Sequence, residues 1–137
     1  MADEITQVAF YMAAIPNKAG EGARILGALK DAGVNLVGFL GYRKSARNAE
    51  VIIVVDDKAP NLGPIGKKAG VALGKRSKAL WLTGEDRAGV GADVLSKLAG
   101  AGVNVVSLHG ITAGAGRVGA LLVVEPADFK KTLKALA

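Results

Sequence analysis

Gly33-Val34-Asn35 and Gly102-Val103-Asn104 each close a segment that a glycine loop opens: Pro16-Asn17-Lys18-Ala19-Gly20 in the first case, Glu85-Asp86-Arg87-Ala88-Gly89 in the second. The triplets stand 69 residues apart (102 − 33), and the same offset carries residues 16–56 onto 85–125 without a gap. Fifteen of those 41 pairs are identical, among them Gly20/Gly89, Gly22/Gly91, Leu26/Leu95, Leu29/Leu98 and Gly41/Gly110. Self-similarity in register over such a span marks a duplication, and two copies are too few for a solenoid. The expected organisation is two small similar domains, residues 1–73 and 74–137, sharing a surface.

Each copy reads in the same order. Residues 5–14 alternate as a strand, with Val8, Phe10 and Met12 on one side and Gln7 and Tyr11 on the other. A helix over 19–32 carries Ala23, Ile25, Leu26, Leu29 and Ala32 in one stripe. Asn17 or Lys18 is its expected cap, and Gly33 ends it by accepting a left-handed backbone. Strands over 35–43 and 50–55 follow, joined by a polar turn. Residues 60–73 fit a helix through Leu62, Ile65, Ala69 and Ala72, yet Gly63, Pro64, Gly66 and Gly70 oppose it, so a short or broken helix is expected. In the second copy the strands are expected at 77–83, 104–112 and 117–124. The helices are expected at 88–101 and 126–136, the latter with Phe129, Leu133 and Leu136 inside. The order strand, helix, strand, strand, helix predicts an α+β fold: two ferredoxin-like βαββα(β) repeats, with antiparallel sheets and helices on one face.

Composition narrows the function. A chain of 137 residues with no cysteine excludes disulfides, thiolate metal sites and cysteine nucleophiles. The opening Met1-Ala2-Asp3-Glu4 is acidic and does not read as a secretory signal. No apolar run approaches the roughly 20 residues of a membrane span, so a soluble cytoplasmic protein is expected. The net charge is +6, densest at Lys67, Lys68, Lys75, Arg76 and Lys78, with Arg43, Lys44 and Arg47 as a smaller group. Such charge suits nucleic acid or acidic ligands, but equally a solvated lysine-rich surface. No aromatic residues interleave it as a stacking platform requires, which weighs against nucleic acid.

The chain is poorly equipped for catalysis. His109 is the only histidine, its counterpart in the first copy is Leu40, and Ser107 two positions away makes no triad. Asp56-Asp57 and Glu85-Asp86 are adjacent acids that point apart in extended chain. One histidine and scattered carboxylates form a poor metal set, and neither metal nor cofactor is implied.

Binding is better supplied. A strand that passes through a glycine loop into a helix exposes free N–H groups at the helix start, which attract an anion such as a carboxylate. Gly20 and Gly89 permit close backbone approach, and Gly22 and Gly91 permit close helix–sheet or helix–ligand contact. Asn17 and Asp86, three residues before the loop glycine, have side chains suited to a ligand's amino or carboxylate group. Asn35 and Asn104 open the second strand of each copy; read singly, each is also a turn asparagine at a helix end.

Taken together and in duplicate, these residues resemble the ACT domain, a small-molecule regulatory module. The family's polar loop, Asp/Asn-Arg-Pro-Gly, is matched by Asn17-Lys18-Ala19-Gly20 and Asp86-Arg87-Ala88-Gly89, with alanine in place of proline at 19 and 88. Its Gly-Val-Asn-Ile is matched by Gly33-Val34-Asn35-Leu36 and Gly102-Val103-Asn104-Val105, fifteen residues from loop glycine to asparagine in both copies (35 − 20 and 104 − 89). The resemblance implies a tandem regulatory module without a catalytic domain, binding a small amino acid at the interface of paired domains. It implies as ligand-binding residues Asn17, Lys18, Ala19, Gly20 and Asn35 in the first copy, and Asp86, Arg87, Ala88, Gly89 and Asn104 in the second. Asn17 would pair with Asn104, and Asp86 with Asn35. A homodimer and a partner metabolic enzyme are the partners it implies. The family repeat also ends in a fourth strand that the second copy lacks, so exchange between the halves or dimerisation is expected to cover an open sheet edge. The alternative is a structural or interaction module that assembles through its sheet and holds no ligand.

Overall fold

The computed structural model describes residues 2–137, with side chains from residue 4 onward. The acidic opening therefore lies outside the described residues at Met1 and, for side chains, at Ala2 and Asp3. The elements are β1 (Ala2–Pro16), α1 (Glu21–Asp31), β2 (Gly38–Arg43), β3 (Asn48–Asp56), α2 (Gly63–Lys68), β4 (Ser77–Glu85), α3 (Val90–Gly100), β5 (Val105–Gly114), β6 (Arg117–Val124) and α4 (Phe129–Leu136), the last preceded by a 3₁₀ turn, Pro126–Asp128. Two compact units result, residues 8–77 and residues 78–137 joined by the chain's first residues up to Gln7. Against the expected halves of 1–73 and 74–137, the junction lies at 77/78, and the opening residues group with the second half.

In the unit of residues 8–77, β3 lies between β2 and β1, antiparallel to both. Tyr11 faces Ile53, and Ile53 faces Phe39 on its other side. Alternation puts Ala9, Tyr11, Ala13, Ile15, Ile53 and Val55 on one face, where Ile25 and Leu29 of α1 and Leu62 and Val71 complete a buried core. α2 is as short as its glycines suggest. Gly66 is needed for packing, since a Cβ there would sit 2.8 Å from Leu73 Cγ and 2.9 Å from Val71 O. Gly70, at φ 76°, turns the chain back, and Gly74 then donates to Met12 O at 2.7 Å, so the segment runs beside β1.

The second unit repeats this register. Leu80 faces Leu122 and Leu122 faces Leu108, the pairs that the 69-residue offset generates from Tyr11–Ile53–Phe39. A bulge between Val105 and Ser107 breaks the correspondence at the start of β5. Leu80, Leu82, Val94, Leu98, Val103, Leu122, Val124 and Leu136 form the core, with Ile5 packed against it. The neighbour of β4 on the side away from β6 is β1, and the 2–7 end of β1 groups in this unit. The fourth-strand position of the second repeat is thus taken by the amino-terminal residues.

Three local expectations change. The helix caps are Gly20 (φ 91°) and Gly89 (φ 84°), not Asn17 or Lys18, and neither helix has a side-chain cap. In α4 the buried residues are Thr132 and Leu136, while Leu133 is exposed. The Thr132 hydroxyl donates to Asp128 O at 2.8 Å, which satisfies it inside the core. Leu95, which the apolar stripe of the 88–101 helix places on the inner face with Val94 and Leu98, is 44% exposed in the middle of α3.

Candidate ligand-binding loops

The two loops are built alike from the backbone outward. Asn17 N–H donates to Arg47 O at 2.8 Å, and Asp86 N–H donates to Gly116 O at 2.9 Å, the same bond moved by 69 residues. Each loop is thereby fixed to the hairpin turn of its own unit. Lys18 O accepts from Glu21 N–H at 3.2 Å, and Arg87 O from Val90 N–H at 3.3 Å. The first helical bonds run from Arg24 to Gly20 O and from Asp93 to Gly89 O. The N–H groups of Gly22 and Ala23, and of Gly91 and Ala92, consequently have no partner among the described residues. A Cβ at Gly20, Gly22, Gly89 or Gly91 would meet nothing within 4 Å. Helix–sheet packing therefore does not require Gly22 and Gly91; their bare backbone faces open space at the positive end of a helix.

The side chains differ between copies. Asn17 is exposed, and its amide donates to Ala46 O at 3.1 Å, leaving its oxygen as acceptor. Asp86 is exposed and makes no side-chain hydrogen bond among the described residues. Lys18 is likewise exposed and makes no ion pair among the described residues, whereas Arg87 binds the Asp93 carboxylate. That hydrogen bond, and the guanidinium charge behind it, hold the Asp93 carboxylate below its ordinary range. Ala19 and Ala88 are exposed loop residues preceding the glycine caps.

Asn35 and Asn104 follow helix ends of one design. Val34 N–H donates to Leu29 O at 3.0 Å and Gly33 N–H to Lys30 O at 2.9 Å. Val103 to Leu98 O at 2.9 Å and Gly102 to Ala99 O at 3.0 Å repeat the pattern. This is the Schellman cap: glycine takes the left-handed position, and the next residue turns back onto the helix. Gly33 (φ 74°) and Gly102 (φ 73°) fill that role, and Val103 is buried against the helix it closes. The glycine and valine of each triplet are thus explained by the cap, but the asparagines are not. Both asparagine side chains are exposed and make no hydrogen bond among the described residues.

Within one unit the loop residue and the strand asparagine do not meet. α1 has 11 residues, and at 1.5 Å each it holds its two ends about 16 Å apart. Beside Asn35 the helix end and β2 enclose a groove of about 430 Å³, lined by Leu26, Lys30, Val34, Leu36 and Phe39 among others. Sequence reasoning did not single out Lys30 or Phe39. The available signal was that Phe39 belongs to the apolar run of β2 and yet is 62% exposed, which periodicity alone does not reveal.

The basic group is in part structural. Arg76 donates to Tyr11 Oη at 3.0 Å, Ala59 O at 3.2 Å and Asp57 O at 2.6 Å, and Lys78 lies 5.5 Å from the centre of the Phe129 ring. His109 is exposed on β5 opposite Leu121. Among the described residues no helix is long and apolar enough to cross a membrane.

No protein-family model matches the sequence, and no curated protein matches it. Among solved structures the chain is similar to a protein of Bacteroides thetaiotaomicron, at 18% identity and TM-score 0.75, covering 96% of this chain and 86% of that one. It is also similar to the regulatory subunit of aspartate kinase from Thermus thermophilus in its ligand-free form, at 14% identity and TM-score 0.65, covering 98% and 96%. The Thermus flavus regulatory subunit of aspartate kinase follows at 16% identity and TM-score 0.62, covering 97% and 92%. At these identities the likeness is one of fold, antiparallel strands with packed helices in α+β order.

Proposed function

We propose that this protein is a non-catalytic regulatory module that binds a small amino acid at its glycine-loop and asparagine corners. Occupancy would be passed to a partner enzyme or to the protein's own state of assembly. The observation that carries this reading is the paired set of unpartnered helix-start N–H groups above Gly20 and Gly89, left bare by glycines that packing does not require. A ligand carboxylate suits those groups, and the free amides of Asn35 and Asn104 suit an ammonium or carboxylate. Fold likeness to regulatory subunits of aspartate kinase supports a regulatory role and a partner enzyme. Regulation then follows from differential affinity between two arrangements.

The test is a thermal-shift survey of the twenty amino acids. A ligand at a hundredfold excess over its Kd adds about 2.7 kcal/mol to stability. The shift should disappear in Asn35→Ala or Asn104→Ala, and a double substitution tests the cross-pairing Asn17 with Asn104 and Asp86 with Asn35. Silence from all twenty amino acids would rule this reading out.

A second reading, an assembly module without a ligand, is favoured by β5. From Val105 to Gly114 this strand carries no Asp, Glu, Lys or Arg, and it leaves Val106 56% and Ile111 76% exposed. Uncharged strands with exposed apolar side chains are templates for pairing. If a homodimer forms there, Ile111→Lys should convert it to monomer in sedimentation equilibrium.

A further inference from the structure

The amino-acid-binding reading leaves open which side chains the site accepts, and the groove beside Asn35 answers that question. It is bounded by the last turns of α1 and the start of β2. Its wall is hydrocarbon: Leu26 and Leu29 from the helix, Val34 and Leu36 from the turn, and Phe39 from the strand. Its volume of about 430 Å³ falls within the roughly 300–1,000 Å³ of small-molecule sites. Phe39 is 62% exposed, an unusual position for a large aromatic side chain on the helix-facing side of its sheet.

Two polar groups line the same groove, Lys30 and Asn35, and both belong to the turn that ends α1. Lys30 has no ion pair among the described residues, and the Asn35 amide has no hydrogen bond. Asn17 differs, because its amide is already tied to Ala46 O. The groove thus offers one cation, one amide able to donate and accept, and the partial negative charge of a helix carboxyl end, all bordering an apolar wall. A zwitterion with a hydrocarbon tail complements that set: its carboxylate meets Lys30, its ammonium meets the Asn35 oxygen and the helix end, and its tail covers Phe39 and Leu36.

We propose that this groove selects amino acids with large apolar side chains, aliphatic or aromatic. The proposal rests on the reading that this protein binds amino acids and adds a second place for one, since a carboxylate on Lys30 lies about 16 Å along α1 from the helix-start N–H groups. The second copy is not expected to share this selectivity. Lys30 is replaced there by Ala99 and Phe39 by Leu108, and the bulge between Val105 and Ser107 alters the start of its strand.

Calorimetric titration of the full chain with leucine, phenylalanine, glycine, serine and aspartate tests it. Leucine or phenylalanine should bind at least tenfold more tightly than the other three. Phe39→Ala should remove that preference. Lys30→Gln should weaken leucine at least tenfold while leaving leucinamide, which has no carboxylate, nearly unchanged. Both substituted residues are exposed, so the variants should unfold within a few degrees of the parent, and far-ultraviolet circular dichroism checks this. A preference for glycine, serine or aspartate overturns the groove proposal but leaves the amino-acid reading in place. Leucine binding that ignores both substitutions overturns it as well. Failure of every amino acid to bind removes both.

Discussion

The hydroxyl of Tyr11 sits where β1, the α2 approach and the segment after α2 converge. Only 1% of the residue is exposed. The hydroxyl accepts from Leu62 N–H at 3.3 Å and from Arg76 at 3.0 Å, and donates to Asn61 Oδ1 at 3.4 Å. The second copy places Leu80 at this position, so the first unit replaced a hydrocarbon contact with a polar tie that also holds Arg76. Tyr11→Phe leaves the N–H of buried Leu62 without a partner, and should cost about 1–3 kcal/mol in urea unfolding. No loss would mean that the network is ornamental. Asp93 supports a prediction about pH. Its carboxylate is held low by the Arg87 hydrogen bond first and by that charge second. A depressed folded pKa means that the stabilisation is present above the unfolded carboxylate value, near 3.9, and is lost as pH falls through the folded one. Arg87→Gln should therefore raise the Asp93 midpoint, followed by carboxyl-carbon NMR. An unchanged midpoint would show that the pair does not persist in solution.

Helices α1 and α3 separate what an element needs for folding from what it keeps for another purpose. Gly33 and Gly102 are demanded by the left-handed cap, as their place after an amphipathic run suggests. Gly22 and Gly91 stand in the first turn with ordinary backbone and open space around them. Glycine costs about 1 kcal/mol relative to alanine inside a helix. Gly22→Ala and Gly91→Ala should each raise stability by about 0.5–1 kcal/mol while weakening any ligand held on the bare N–H groups. Stabilisation without loss of binding would place the ligand elsewhere. The elements were largely legible because the duplication states each pattern twice, and the strand register repeats with it. The errors lie where two patterns fit equally. In α4 the spacings 129/133/136 and 129/132/136 both make a stripe, and only the Thr132 bond to Asp128 O makes the second tolerable. Asn17 is a residue type that caps helices, yet its amide secures a hairpin turn 29 residues away, and Gly20 takes the cap position instead. The loops of the candidate site were legible as motifs. The groove was not, because exposure of Phe39 depends on where α1 ends over the sheet.

At the scale of the whole molecule, the strand that opens the chain belongs to two compact units in succession. β1 is 15 residues long; its later part pairs with β3 from Val8 to Pro16, while residues up to Gln7 group with the unit of β4, β5 and β6. Nothing in the alternation of Ile5, Gln7 and Ala9 says which sheet each end will join, because a strand's pattern fixes its faces and not its neighbours. What does follow is that the amino-terminal residues cover the edge of β4 opposite β6, and an edge left unpaired there is a liability. Deleting residues 1–7 should therefore weaken residues 78–137 selectively. Among residues 4–7, half-buried Ile5 packs on that core, and since full burial of an isoleucine is worth about 1.5–3 kcal/mol, its loss should cost about half of that. The chromophores suit the experiment: Trp81, the only tryptophan, lies in the second unit, and Tyr11 and Tyr42 lie in the first. In the truncated chain the Trp81 emission transition should move to lower urea, and amide protons of Leu80 and Leu82 should exchange faster. Protection at Ile53 and Val55, whose partners all lie within residues 8–56, should stay near its original value. Equal loss of protection in both units would show that they unfold as one body. An unmoved Trp81 transition would show that the amino-terminal residues contribute nothing to the second unit.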